Sequence, residues 1–207
     1  WTQVGADIDG EATSDFSASS ISLSSDGSRV AIGATGNDGN GTNSGHVRIY
    51  QYNNNSWSQL GADIDGEAAG DYSGWSVSLS SDGSRVAVGA FNNDGAGNNS
   101  GHVRIFDYTP SGTSSWTQVG ADINGEAAND ASGRSVSLSS DGTRVAIGAY
   151  TNDGNGSNSG HVRVYSISSG GSYQYTWNVS STLSDGDYKV TVAGADKVGN
   201  AYSGTDS

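Results

Sequence analysis

The 207-residue chain carries 22 Asp plus Glu against 9 Lys plus Arg, a formal net charge of −13 that argues against nucleic-acid or anionic-membrane partners and favours cations. It has no Cys, which excludes disulfides, zinc-thiolate sites and thiol nucleophiles, and no apolar run approaches the roughly 18 residues that would cross a bilayer. Ile, Leu, Val and Phe make up only 33 of 207 residues, a share common in disordered chains, but 5 Trp, 10 Tyr and 32 Gly with a single Pro describe short strands joined by tight turns.

The chain repeats itself. "WTQVGADIDGEA" at Trp1 returns as "WSQLGADIDGEA" at Trp57 and "WTQVGADINGEA" at Trp116, and "DGSRVAIGA" returns as "DGSRVAVGA" and "DGTRVAIGA". Spacings measured at the Trp, at Asp26, Asp82 and Asp141, and at His46, His102 and His161 are all 56 and then 59 residues. The three extra residues lie between His102 and Trp116 beside Pro110, the signature of a surface loop. Trp1 begins flush with the repeat, as in a segment cut from a longer array.

Each copy reads as four strands, because runs alternating in period two are separated by clusters of Gly, Asn, Asp and Ser. In the first copy they are Ser20 to Ser24, Arg29 to Ala34, His46 to Tyr52 and Trp57 to Ile64, and nothing reads as a helix. Ile21, Leu23, Val30 and Ile32 make a bulky face, and Ser20, Ser22, Ala31 and Gly33 a small one with little charge. A small uncharged face calls for a cover, which predicts that the small face of one sheet receives the bulky face of the next. The expected fold class is all-β, with repeated four-stranded antiparallel sheets stacked as β-propeller blades. Three units, at about 1–56, 57–115 and 116–165, are fewer than a closed ring uses, so the set is open or completed by assembly. A threefold β-trefoil or β-prism is the alternative.

The segment "DYSGWSVSLSSDGSRVAVGAFNNDGAGNNSGHVRIF" resembles the FG-GAP repeat of integrin-α-type propellers. Asp71, Tyr72, Gly74, Ser76 and Val77 match its opening, Val88, Gly89 and Ala90 its middle, and Gly101, Val103 and Phe106 its close. The resemblance runs three times over residues 1 to about 165. It implies a non-enzymatic, extracellular adhesion propeller. Two positions depart from it: the "SSDG" hairpin is too short for the calcium loop of that family, and Ala131 replaces the aromatic in the third copy. The tail, residues 166–207, resembles the later strands of bacterial Ig-like adhesin domains. Leu183, Asp185, Gly186, Tyr188, Val190, Val192, Asp196, Gly199 and Asn200 fall on that pattern, and its length makes a partial domain.

In an antiparallel pair the start of the first strand, the end of the second and the loop leaving it lie at one end. The acidic segments and the Asn-Gly loops therefore converge on one rim, with the "SSDG" hairpins opposite. The acidic segments offer Asp7, Asp9, Glu11 and Asp15, then Asp63, Asp65, Glu67 and Asp71, then Asp122, Asn124, Glu126 and Asp130. Oxygen ligands alternating in a Gly-containing turn suit calcium, and the same residues suit Asx turns; the sequence leaves both readings open. His46, His102 and His161 open equivalent strands and read as structural. Six Arg at repeat positions read as partners of nearby carboxylates. Positions that vary while their surroundings repeat are more informative. Among these, Trp75, Phe91, Arg134 and Tyr150 stand at strand ends on the acidic rim and are the expected ligand-binding residues.

The chain shows no nucleophile elbow, phosphate loop or HExxH motif, so an enzyme is not expected. The expected function is a calcium-stabilised binding or adhesion module of a large extracellular, cell-surface protein. Its partner would be a protein or glycan on a host or neighbouring cell. A structural spacer or filament subunit that self-associates through blade edges is the alternative.

Overall fold

The computed structural model describes residues 1–110 and 115–167, together with the backbone of two strands further on. It divides into two units, Trp1–Gly170 and Gly171–Ser207. Among the described residues all regular structure is antiparallel β and there is no helix.

The first sheet contains β1 (Ser17–Leu23), β2 (Arg29–Ala34), β3 (His46–Asn53), β4 (Ser56–Gln59) and β5 (Ile64–Asp65). They are ordered β1-β2-β3-β4, with β5 continuing the fourth strand against β3. The second sheet repeats this plan with β6 (Ser76–Leu79), β7 (Arg85–Ala90), β8 (His102–Thr109), β9 (Ser115–Gln118) and β10 (Ile123–Asn124). The third holds β11 (Ser132–Leu138), β12 (Arg144–Ala149) and β13 (His161–Ser166), in that order. The Trp-led segment of one repeat therefore supplies the outer strand of the sheet before it. In the second unit β14 (Val190–Ala195) and β15 (Ala201–Asp206) form an antiparallel hairpin. The rest of the Ig-like pattern expected over 166–207 lies outside the described residues.

Asp26, Asp82 and Asp141 shape the hairpins between the first two strands of each sheet. Asp26 accepts from Ser24 Oγ at 2.7 Å and from the Ser28 backbone N–H at 2.9 Å, and the other two repeat the motif. These bonds hold the carboxyls of Asp26 and Asp141 down at about 2.

The sheets stack as blades. Val77, Leu79, Val86 and Val88 of the second sheet pack on Ala31, Val47 and Ile49 of the first. Val136, Leu138, Val145 and Ile147 of the third pack in turn on Ala87, Val103 and Ile105. Glycine sets the spacing: a Cβ on Gly33 would strike the carbonyl oxygen of Gly74, and one on Gly89 that of Gly133. Serines tie the junctions, since Ser20 Oγ donates to Gly74 O at 2.6 Å and Ser76 Oγ to Gly133 O at 2.7 Å.

One expectation requires correction. Ile21 and Leu23, expected inside, are 68% and 60% exposed, whereas their counterparts Val77 and Leu79 are 9% and 7%. The pattern of residues is the same, but among the described residues of the first unit no sheet covers the bulky face of the first blade. At the other end Val162 and Val164 are 67% and 64% exposed, although Val103 and Ile105 at the same positions are 0% and 2%.

Candidate functional site

The rim cluster forms where the second and third sheets meet. Trp75 immediately precedes β6, Phe91 follows β7, Arg134 lies in β11 and Tyr150 follows β12. The backbone is bent to present them. Pairing of β11 with β12 skips from Ser132 to Ser135, a bulge that contains Gly133 and Arg134. Tyr72 and Ala131 sit at φ 53° and 52°, with Gly74 and Gly133 at 83° and 84°. A left-handed non-glycine residue costs about 1–2 kcal/mol, offset here by bonds to the neighbouring loop: Tyr72 N–H donates to Asn43 O and Ala131 N–H to Asn99 O, both at 3.1 Å.

The structure brings all four expected ligand-binding residues together. The Arg134 guanidinium lies 4.2 Å from the Trp75 ring centre, 4.9 Å from Phe91 and 5.2 Å from Tyr150. Trp75 meets Phe91 edge-on at 4.6 Å, and Tyr72, which the sequence reading left out, stacks on Phe91 at 6.0 Å. Tyr150 is exposed. Among the described residues no carboxylate lies within ion-pair distance of Arg134, unlike Arg48, Arg85, Arg104 and Arg163. The arrangement offers a group of aromatic rings with a cation fixed among them. It can stack a ring and neutralise an anionic group beside it.

The acidic segments meet the Asn-Gly loops of the preceding blade: Asn40 Nδ2 donates to Gly66 O at 2.9 Å. Their carboxylates take separate roles. Asp15, Asp71 and Asp130 are buried and accept from the amides of Asn37, Asn93 and Asn152 at 3.0–3.1 Å. Asp7, Asp63 and Asp122 each accept from a Gln four residues earlier. Asp9, Asp65 and Asn124 are exposed. Glu11 and Asp63 converge with His46, as Glu67 and Asp122 do with His102, their ligand-type atoms lying within 4.8 Å of one another. Glu126 stands 3.6 Å from His161. The converging pair comes from successive repeats, a pairing hidden from anyone reading each segment as its own loop. The signal for it was the placement of the Trp-led segment on the preceding sheet.

These clusters fit a metal in part. Burial pushes the Glu67 carboxyl up, opposed by Arg104 and aided by the negative charges of Asp122 and Asp71. Burial, with Arg104 beside it, pushes His102 down to about 4, so its imidazole is neutral, and among the described residues neither ring nitrogen has a hydrogen-bond partner. Two carboxylates and a neutral imidazole are metal-ligand chemistry. Calcium, however, wants six to eight oxygens, and an arginine already stands on the same groups. Arg48 pairs with Glu11 and reaches Asp63 at 3.1 Å, while Arg104 reaches Glu67 at 3.6 Å.

The FG-GAP repeat family model matches residues 62–106 and 124–165. The two matches fall on the second and third blades, and the first blade repeats their strand plan. FG-GAP repeats point to an adhesion-type β-propeller module, and are typically non-enzymatic and typical of extracellular proteins. No curated protein matches the chain. Among the described residues no helix is long and apolar enough to cross a membrane.

Proposed function

We propose that this chain is a non-catalytic, extracellular adhesion module that recognises a protein or glycan on a host or neighbouring cell. The contact surface is the rim bearing Trp75, Phe91, Arg134 and Tyr150. One observation carries the reading: a cation that no carboxylate in ion-pair reach neutralises, held against three aromatic rings at a blade junction. Among the described residues Arg134 is the arginine held over more than one ring, and aromatic and Arg side chains are the usual anchors of recognition surfaces. Glycan and peptide arrays test the reading. A ligand should appear whose capture falls on Trp75→Ala, and a folded protein that captures nothing would reject it.

Calcium is a separate part of the proposal. It would neutralise the acidic rim, where Glu11 with Asp63 and Glu67 with Asp122 stand together, and so order the loops. Thermal unfolding with calcium and with chelator decides this part. A midpoint that neither treatment moves removes calcium from the account and leaves the aromatic site untouched.

A further inference from the structure

We propose that Glu67, His102 and Asp122 form a binding site for a divalent transition-metal ion of the zinc class, and that the ion ties the first blade to the second. The site goes beyond the calcium reading of the rim, because it supplies an imidazole nitrogen along with its oxygens, a donor set that suits zinc and its neighbours.

The imidazole is the first observation. His102 opens β8, and its side chain is 1% exposed. A polar group buried so deeply is ordinarily hydrogen-bonded, yet among the described residues neither Nδ1 nor Nε2 has a partner. Nδ1 faces the Glu67 carboxylate at 3.7 Å, too far for a hydrogen bond. One ligand-type atom from each of Glu67, His102 and Asp122 lies within 4.8 Å of the other two. Zinc holds such ligands at about 2.0–2.1 Å, which sets them roughly 3.3 Å apart in a tetrahedron. A small inward turn of the carboxylates closes the set, and both have room to make it, Glu67 being exposed and Asp122 half-buried. The fourth position is left for water.

The arginine behaves differently in the two copies of the cluster. In the first, Arg48 pairs with Glu11 and its Nε donates to Asp63 at 3.1 Å, so one guanidinium bridges both carboxylates. In the second, Arg104 is turned aside. Its Nη2 donates to Asp65 O at 2.7 Å, its guanidinium lies 5.3 Å from the Phe106 ring centre, and it reaches Glu67 alone, at 3.6 Å. Asp122 accepts from Gln118 through Oδ1, and among the described residues nothing claims its other oxygen. The same residue types therefore make a cluster closed by arginine at one position and an open donor set at the next.

Placement gives the ion its role. Glu67 follows β5, which belongs to the first sheet, and its carbonyl accepts from Asn40 Nδ2 of the first blade's loop at 3.3 Å. His102 and Asp122 belong to the second sheet, where Asp122 immediately precedes β10 and Asn124 of that strand lies opposite His102. An ion held by all three bridges the blades, and because it binds the folded arrangement it stabilises it.

Calorimetric titration of the full chain with zinc alone tests the site. One zinc should bind per chain and raise the thermal midpoint. Affinity should fall tenfold or more in Glu67→Gln and in Asp122→Asn, both at positions open enough to water for the fold to survive, as circular dichroism would verify. Glu11→Gln, at the arginine-closed copy, should bind zinc like wild type. The chain has three His, so cobalt(II) in place of zinc should shift the proton resonances of one imidazole far from their normal range and leave the other two. No zinc uptake, uptake that Glu67→Gln and Asp122→Asn leave intact, uptake that Glu11→Gln reduces equally, or three unshifted imidazoles would each overturn the proposal. Zinc that an excess of calcium displaces would overturn it as well and return the cluster to the calcium reading. None of these results bears on binding at Arg134.

Discussion

The guanidinium of Arg134, on the third sheet, lies 4.2 Å from the centre of the Trp75 ring, on the second. The contact crosses a junction whose stability comes from elsewhere, namely from Val136, Leu138, Val145 and Ile147 packed on Ala87, Val103 and Ile105. A cation–π contact near the surface contributes about 0.5–1 kcal/mol. Arg134→Ala should therefore cost no more than about 1–2 kcal/mol in urea unfolding, and a larger loss would show that the cluster serves the fold first.

Glycine at the blade junctions gives an internal comparison. Gly89→Ala would put a methyl on the Gly133 carbonyl, backbone that cannot step aside, and should cost roughly 1–3 kcal/mol as overpacking. Gly148→Ala, at the same repeat position on the third sheet, meets only Ser135, its movable hydroxyl nearest and its backbone at ordinary contact distance. It should cost distinctly less. Equal losses in chemical denaturation would contradict face-to-face stacking.

His102 makes stability depend on pH. Its native imidazole is pushed from 6.5 down to about 4 by burial and Arg104. Between those values the unfolded chain takes up a proton that the native chain refuses. Stability should thus fall as pH drops from 6.5 toward 4, by on the order of 3 kcal/mol in all, and this component should level off below that. His102→Asn should flatten the slope in urea midpoints measured across this window. A slope that persists unchanged would assign it to other groups.

The regular part of the fold was legible because strand alternation and turn chemistry are local. Arg29 to Ala34 is a strand as read, and the small faces bearing Ala31 and Ala87 are covered as read. Exposure of Ile21 was not legible, because Ile21 and Val77 stand in the same local pattern and differ only in whether a sheet lies above them. Trp57 to Ile64 reads as the fourth strand of the first sheet, but the partnership of Glu11 with Asp63 also needs the Glu11 segment to approach that strand, a fact of tertiary packing. Trp75, Phe91, Arg134 and Tyr150 could be singled out because they vary inside a repeat that otherwise holds. Tyr72 varies at its repeat position too, against Phe16 and Ala131.

Asp71 is tied into the fold by two hydrogen bonds. It accepts from Asn93 Nδ2 and from the Ala68 backbone N–H, both at 3.0 Å, the first bond buried and the second partly so. Asp71→Ala leaves the buried Asn93 amide unmet, which costs about 1–3 kcal/mol. The drop in thermal midpoint should be the same with calcium and with chelator. A drop seen only in calcium would make Asp71 a ligand.

Affinity at the aromatic rim is the most direct measure of the functional account. The strongest ligand found on the arrays should be titrated against wild type, Arg134→Ala and, on the opposite rim, Ser140→Ala. The expected result is a loss of about tenfold or more for Arg134→Ala, some 1.4 kcal/mol, with Ser140→Ala unchanged. A folded Arg134→Ala protein that binds as tightly as wild type would contradict it.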